Sequence, residues 1–213
     1  MAHIIETIEN QTLQSALVLL KAAHAFIAER VIQSQKTLSL EKDCWGMRAK
    51  RMIVDLSDGP QIVGKKEEKF VEIINILATT ERTIDAIKWL SNKYPYLTVR
   101  ECHASTSDLE EGNDIVLIDS DGNVEVRCEV CDVVSRKPNQ NNKEKKDLKK
   151  LGCYRHVPAD GVRRYIATSK EFALALTSTK RKWANKHYRY ESTPTELPHQ
   201  TYMLAIIDPW LNK

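Results

Sequence analysis

The chain has 213 residues, 42% of them hydrophobic and 29% charged, with a formal net charge of +3. That size suffices to bury one core, so a single domain over 1–213 is expected, and no apolar run approaches the ~18 residues of a membrane span. The start, MAHIIETIENQ, lacks the basic-then-apolar layout of a secretory leader, and five cysteines fit a reducing compartment better than a disulfide framework. A cytoplasmic protein without a membrane partner is the expectation.

Taken in order, 12–35 carries Leu13, Ala16, Leu17, Leu20, Ala23, Ile27 and Val31 at helical spacing, with His24 on the apolar face as a packed histidine. Residues 36–64 are ambiguous: 50–56 reads as a short strand and 57–60, SDGP, as a turn. A helix over 65–77 places Phe70, Ile73, Ile74 and Leu77 on one side. A second helix from about 80 buries Ile84, Ile87 and Leu90 and ends before Pro95. Residues 96–102 alternate as a strand, and a polar loop, STSDLEEGN, leads to the stretch NDIVLIDSDGNVEVRCEVCDVVS at 113–135.

That stretch reads as a β-hairpin. Asp121-Gly122 suits a two-residue turn, because glycine accepts the positive φ a tight primed turn demands. Partners then have numbers summing to 243, so Asp114 opposes Glu129, Val116 opposes Arg127 and Ile118 opposes Glu125. Val124, Val126, Cys128 and Val130 share one face, leaving Glu125, Arg127, Glu129 and Cys131 on the other. Two directly opposed carboxylates repel, so a cation is expected between or beside them. Beyond the hairpin, Asn141 or Asn142 caps a helix that stops at Gly152, 164–169 is a strand, and 170–187 a helix. A final strand occupies 201–207.

Charge is segregated along the chain. Residues 101–132 contain ten acids and a lone base, Arg127, whereas 136–150 contain seven bases and two acids. A second basic run includes Lys180, Arg181, Lys182, Lys186 and Arg189, interleaved with Trp183, His187, Tyr188 and Tyr190. An acidic centre between basic runs suits a cation facing a polyanion, with Lys137, Lys149, Lys150, Lys180, Arg181, Lys182 and Lys186 neutralising nucleic-acid phosphates and the aromatics touching bases or ribose. Trp183 fits equally well in a core stripe with Leu176.

The hard oxygens of Asp114 and Glu129, with the Val130 carbonyl, suit Mg²⁺ or Mn²⁺, which polarises a phosphoryl oxygen and acidifies a bound water. Glu72 on the preceding helix and Glu101 at the end of the first strand are further candidate acids, with ordinary surface charge as the alternative. This order of segments resembles the PD-(D/E)XK nuclease superfamily over about residues 65–207, preceded by an N-terminal helical extension over 1–64. There, an acid opens the second strand, as Asp114 does in NDIVLID, and an E-x-K triplet lies on the third, as in CEVCDVVS with Glu129. The resemblance implies an α/β fold with a restriction-endonuclease-like core, a mixed central sheet flanked by helices, and a metal-dependent endonuclease acting on DNA as a homodimer. Cys131 stands where the family places its lysine. The substitute implied is a base on the following helix, Lys146 or Lys143, with Arg136, Lys137 and Arg127 as further options.

Two alternatives stay open. The same fold with a disabled site would bind nucleic acid without cutting it. Alternatively, Cys128-x-x-Cys131 and Cys153-x-x-His156, with 21 residues between Cys131 and Cys153, have zinc-like spacing. Against zinc, residues three apart on a strand point to opposite faces.

Overall fold

A computed structural model of the chain describes residues 8–38, 70–103, 113–131, 140–153, 156–177, 189–190 and 195–207. The elements are β1 (Ile8–Thr12), α1 (Leu13–Leu38), α2 (Phe70–Lys93), β2 (Thr98–Cys102), β3 (Ile115–Ile118), β4 (Val124–Val130), α3 (Gln140–Lys150), β5 (Arg163–Ser169), α4 (Lys170–Thr177), β6 (Arg189–Tyr190), β7 (Thr195–Leu197) and β8 (Thr201–Ile207), with a 3-10 turn at Pro198–Gln200. The strands join one sheet in the order β1-β2-β3-β4-β5-β8-β6, with β7 also on β8. All pairings are antiparallel except β4 with β5, which α3 separates in sequence. The fold is therefore α/β with a mixed central sheet, and a three-stranded meander feeds a helix and then a parallel strand.

The period-two alternation of the strands divides the interior into two cores. Val126, Cys128 and Val130 of β4, with Tyr165 and Ala167 of β5, pack against α1 and α2 through Leu20, Ile27, Ile73 and Ile87. On the opposite face, Cys131, Ile166 and Leu204 pack with Leu148 and Leu151 of α3 and Phe172 and Leu176 of α4. Helices thus cover both faces, as sheet surfaces that alternate between two apolar layers require.

Several expectations are corrected. Residues 70–93 form one helix, not two. The chain stays helical through Thr79 and Thr80, where Thr80 Oγ1 donates to the Ile76 carbonyl at 2.7 Å and Thr83 Oγ1 to that of Thr79 at 2.8 Å. The competing hydroxyls find partners one turn back rather than opening the helix. The N-terminal region is not wholly helical either: β1 extends the sheet at its edge beside β2, and α1 lies in the main core. Its exposed, mixed pattern carries no two-residue alternation to betray it. β6 and β7 are additional short strands; the expected strand at 50–56 and helix residues 65–69 and 178–187 lie outside the described residues. His24 is half-buried, its Nε2 lying 3.0 Å from Glu81 Oε1 across the α1–α2 packing.

The hairpin turn also differs. The Asp119 N–H donates to the Asn123 carbonyl at 3.0 Å, enclosing three residues, Ser120 to Gly122. Gly122 has φ 84, the left-handed conformation that ends such a three-residue loop. Asp119 Oδ1 accepts N–H bonds from Asp121 and Asn123, both at 2.9 Å, and the Asn123 bonds hold its carboxyl below the usual range. The extra loop residue moves Ile118 opposite Val124 rather than Glu125. A bulge between Leu117 and Ile118 then restores the expected register, with Val116 opposite Arg127 and Ile115 opposite Cys128. The two offsets cancel before the chain reaches Asp114 and Glu129.

Candidate metal centre

Asp114 precedes β3 and Glu129 lies near the end of β4, so the restored register brings the two acids to one end of adjacent antiparallel strands. Asp114 Oδ2 accepts the Val130 N–H at 2.7 Å, while its backbone carbonyl accepts the His103 N–H at 2.7 Å. Glu129 is fully buried. Its Oε1 accepts from Asn113 Nδ2 at 2.8 Å, and its Oε2 faces Lys150 Nζ at 3.7 Å. Oε2 makes no hydrogen bond among the described residues.

Burial, and then the neighbouring Asp114 charge, push the Glu129 carboxyl up to about 9. Lys150 and the Asn113 bond pull the other way, and Asp147 of α3 adds a further upward push. Desolvation therefore outweighs the nearby ammonium. A cation stronger than one lysine is needed to keep both carboxylates ionised at neutral pH.

The basic partner from α3 is Lys150 rather than Lys146. Lys146 is exposed, whereas Lys150 is half-buried against Glu129. Lys149 is exposed; Lys143, Lys137, Arg136, Lys180, Arg181, Lys182 and Lys186 lie outside the described residues or side chains, as does Glu72. The end of α3 is fixed by its own sequence. Gly152 (φ 70) donates to the Lys149 carbonyl and Cys153 to that of Leu148, both at 2.9 Å, the paired bonds of a Schellman cap. Leu148 and Cys153 sit together in the core beneath it.

Cys131 does not point into a polar site. It is buried among Leu148, Leu151, Ile166 and Cys153, so a lysine there would end in the apolar layer. Cys128 belongs to the core on the other face of the sheet, and His156 is exposed. The four candidate zinc ligands are thus divided between two faces and the surface. Burial drives the Cys128 thiol well up and the Cys153 thiol to about 12, which disfavours the thiolates a zinc ion needs.

Glu101 stands apart from the pair on β2, where its partners are Arg100 at 3.5 Å and His103 at 3.8 Å. Tyr190 is buried and donates its hydroxyl to Glu144 Oε1 at 3.0 Å, so it braces α3 rather than meeting a base. Two residues beside Glu129, Asn113 and Asp147, carry no obvious sequence motif; Asp147 is an acid set beside the buried Leu148 and Leu151.

Among the described residues, no group of three or more His, Cys, Asp or Glu side chains is arranged to hold a metal ion. The site is a two-carboxylate half-site. Mg²⁺ is suited to such a set, since it commonly takes one or two carboxylates and keeps several waters. The shielded Oε2 of Glu129, without a hydrogen bond, is the kind of oxygen a hard cation satisfies. No helix among the described residues is long and apolar enough to cross a membrane. No protein-family model, curated protein or solved structure matches the chain.

Proposed function

We propose that the chain is a divalent-metal-dependent DNA endonuclease built on a restriction-endonuclease-like core. The observation carrying this is the convergence of Asp114, Glu129 and Lys150 from β3, β4 and the helix that leads to the parallel strand β5. Asp114 and Glu129, with the Val130 carbonyl, would hold Mg²⁺ or Mn²⁺. When bound, the ion would polarise a phosphoryl oxygen and acidify a water.

The protein groups have separable tasks. Asn113 orients the Glu129 carboxyl through Oε1, leaving Oε2 for the cation. Asp114 is fixed through Oδ2 by the Val130 N–H. Lys150 supplies the positive charge that Cys131 cannot, stabilising the scissile phosphate as charge builds on it. The exposed lysines of α3, Lys145, Lys146 and Lys149, would meet phosphates with Lys137 and the 180–186 run, making affinity fall with salt. A homodimer, acting in the cytoplasm, would cut both strands.

Incubation with supercoiled plasmid and linear DNA of several sequences in Mg²⁺, Mn²⁺ or EDTA tests the proposal. Cleavage is expected with either metal and not with EDTA. Asp114→Ala and Glu129→Ala should each abolish it while DNA binding persists. Binding without cleavage in every metal would leave a nucleic-acid-binding protein with a disabled site.

A further inference from the structure

The carboxyl end of β4 leaves the sheet ladder just where Glu129 and Val130 must be held, and a buried arginine from the opposite face closes it. Arg82 of α2 is 6% exposed, and its Nη1 donates to the Cys131 carbonyl at 2.9 Å. The Cys131 N–H donates to Ala167 of β5 at 2.8 Å, and the Val130 N–H to Asp114 at 2.7 Å. Three elements thus grip two consecutive residues of one strand end. The arginine is costly to bury, and it lies in the most enclosed part of its helix, where Thr79, Thr83 and Asp85 are also buried. A strand end could be capped by solvent at no such cost. Burial of a guanidinium at this carbonyl is better explained by a need to fix the peptide.

We infer that Arg82 is a positioning residue for the metal centre. By bonding to the Cys131 carbonyl it holds the end of β4 against α2, and so sets the direction of Glu129 and the Val130 N–H contact to Asp114. The arrangement brackets the strand end between two basic side chains, Arg82 from α2 and Lys150 from α3. Lys150 faces the Glu129 carboxyl, whereas Arg82 holds the backbone carbonyl of Cys131. The inference rests on the endonuclease proposal for its catalytic consequence, but its geometric content does not.

The experiment therefore has two readouts on the full chain. Arg82→Met and Arg82→Lys are compared with wild type and with Thr83→Ala, a buried substitution on the same helix whose hydroxyl bonds within the helix, to the Thr79 carbonyl. The first readout is plasmid cleavage in Mg²⁺, resolved into kcat and KM. The second is amide hydrogen exchange of the 126–131 segment, which needs no activity. Arg82→Met is expected to lower kcat roughly 10- to 100-fold with KM little changed, the usual scale for losing a group that orients metal ligands. It should also speed exchange at Val130 and Cys131. Arg82→Lys, which keeps a donor, should recover most of the lost kcat, and Thr83→Ala should lower the melting temperature without changing kcat. If Arg82→Met fails to fold, Arg82→Lys and Arg82→Gln carry the comparison.

Unchanged exchange in a folded Arg82→Met or Arg82→Gln overturns the positioning role. So does faster exchange with kcat intact, and so does an equal loss of kcat in Thr83→Ala. Should wild type cleave nothing, the endonuclease proposal fails, while the exchange measurement still decides whether Arg82 holds the strand end.

Discussion

Glu129 gives the sharpest physical test because its burial and its charge oppose each other. Burial and the Asp114 charge raise its carboxyl from 4.5 to about 9, against the pull of Lys150 and Asn113. For an acid whose native value is raised, the folded state binds the proton more tightly than the unfolded chain. Its contribution is fully present below the unfolded value and is lost as pH rises through the window from 4.5 toward 9. Inside that window the loss is about 1.4 kcal/mol per pH unit, so moving from pH 6 to pH 8 in EDTA removes on the order of 3 kcal/mol.

Glu129→Gln keeps the shape, and its amide oxygen still accepts from Asn113, but it has no proton to lose. Urea unfolding of both proteins at pH 6, 7 and 8 isolates the effect, since every other titrating group is common to the two. The advantage of the variant over wild type should grow by about 3 kcal/mol between pH 6 and pH 8. Parallel stability profiles would refute the reasoning, because they would mean that Lys150 alone keeps Glu129 ionised throughout. Added Mg²⁺ should recover much of the lost stability of wild type at pH 8 and little in the variant.

Three further outcomes follow from the site geometry. Lys150→Met should cut the rate of cleavage by at least about 100-fold with DNA affinity little altered, whereas Lys146→Ala should weaken binding uniformly and reduce the salt slope by about one charge, as titrations at several salt concentrations would show. Gly152→Ala should cost about 1–2 kcal/mol in urea unfolding, because φ 70 is left-handed while no atom lies within 4 Å of the added Cβ, so the penalty is purely that of the backbone. Cys131→Lys, which recreates the family triplet, should fail to raise activity and should destabilise the protein by roughly 3–5 kcal/mol. The ammonium would end unpaired among Leu148, Leu151 and Ile166.

How far the molecule is legible in its sequence follows from which forces leave a periodic trace. α1 is plain because its buried face recurs at helical spacing, and β8 because it is a short apolar run buried on both faces of the sheet. β1 leaves no such trace: as an edge strand with mostly exposed side chains, it is selected by pairing to β2, a long-range choice. The division of α2 near residue 80 fails because only the three-dimensional helix reveals that the Thr80 and Thr83 hydroxyls bond one turn back.

At the site, the register brings Asp114 and Glu129 to the same end of paired strands even though the turn differs, because the bulge between Leu117 and Ile118 offsets the extra loop residue. The basic partner was legible in azimuth but not in height. Lys143, Lys146 and Lys150 lie on one helical stripe, so the sequence indicates which side of α3 supplies the cation. Which turn of that stripe meets Glu129 depends on how the helix is set against β4, and no local pattern encodes that. The same limit explains Cys131. Position 131 looks like a vacancy in the catalytic motif when the strand is read alone, but with α3 and α4 packed over it the position belongs to the apolar core. A charge from the helix stripe then becomes the physically cheaper solution, since Lys150 approaches Glu129 with its stem still partly in water.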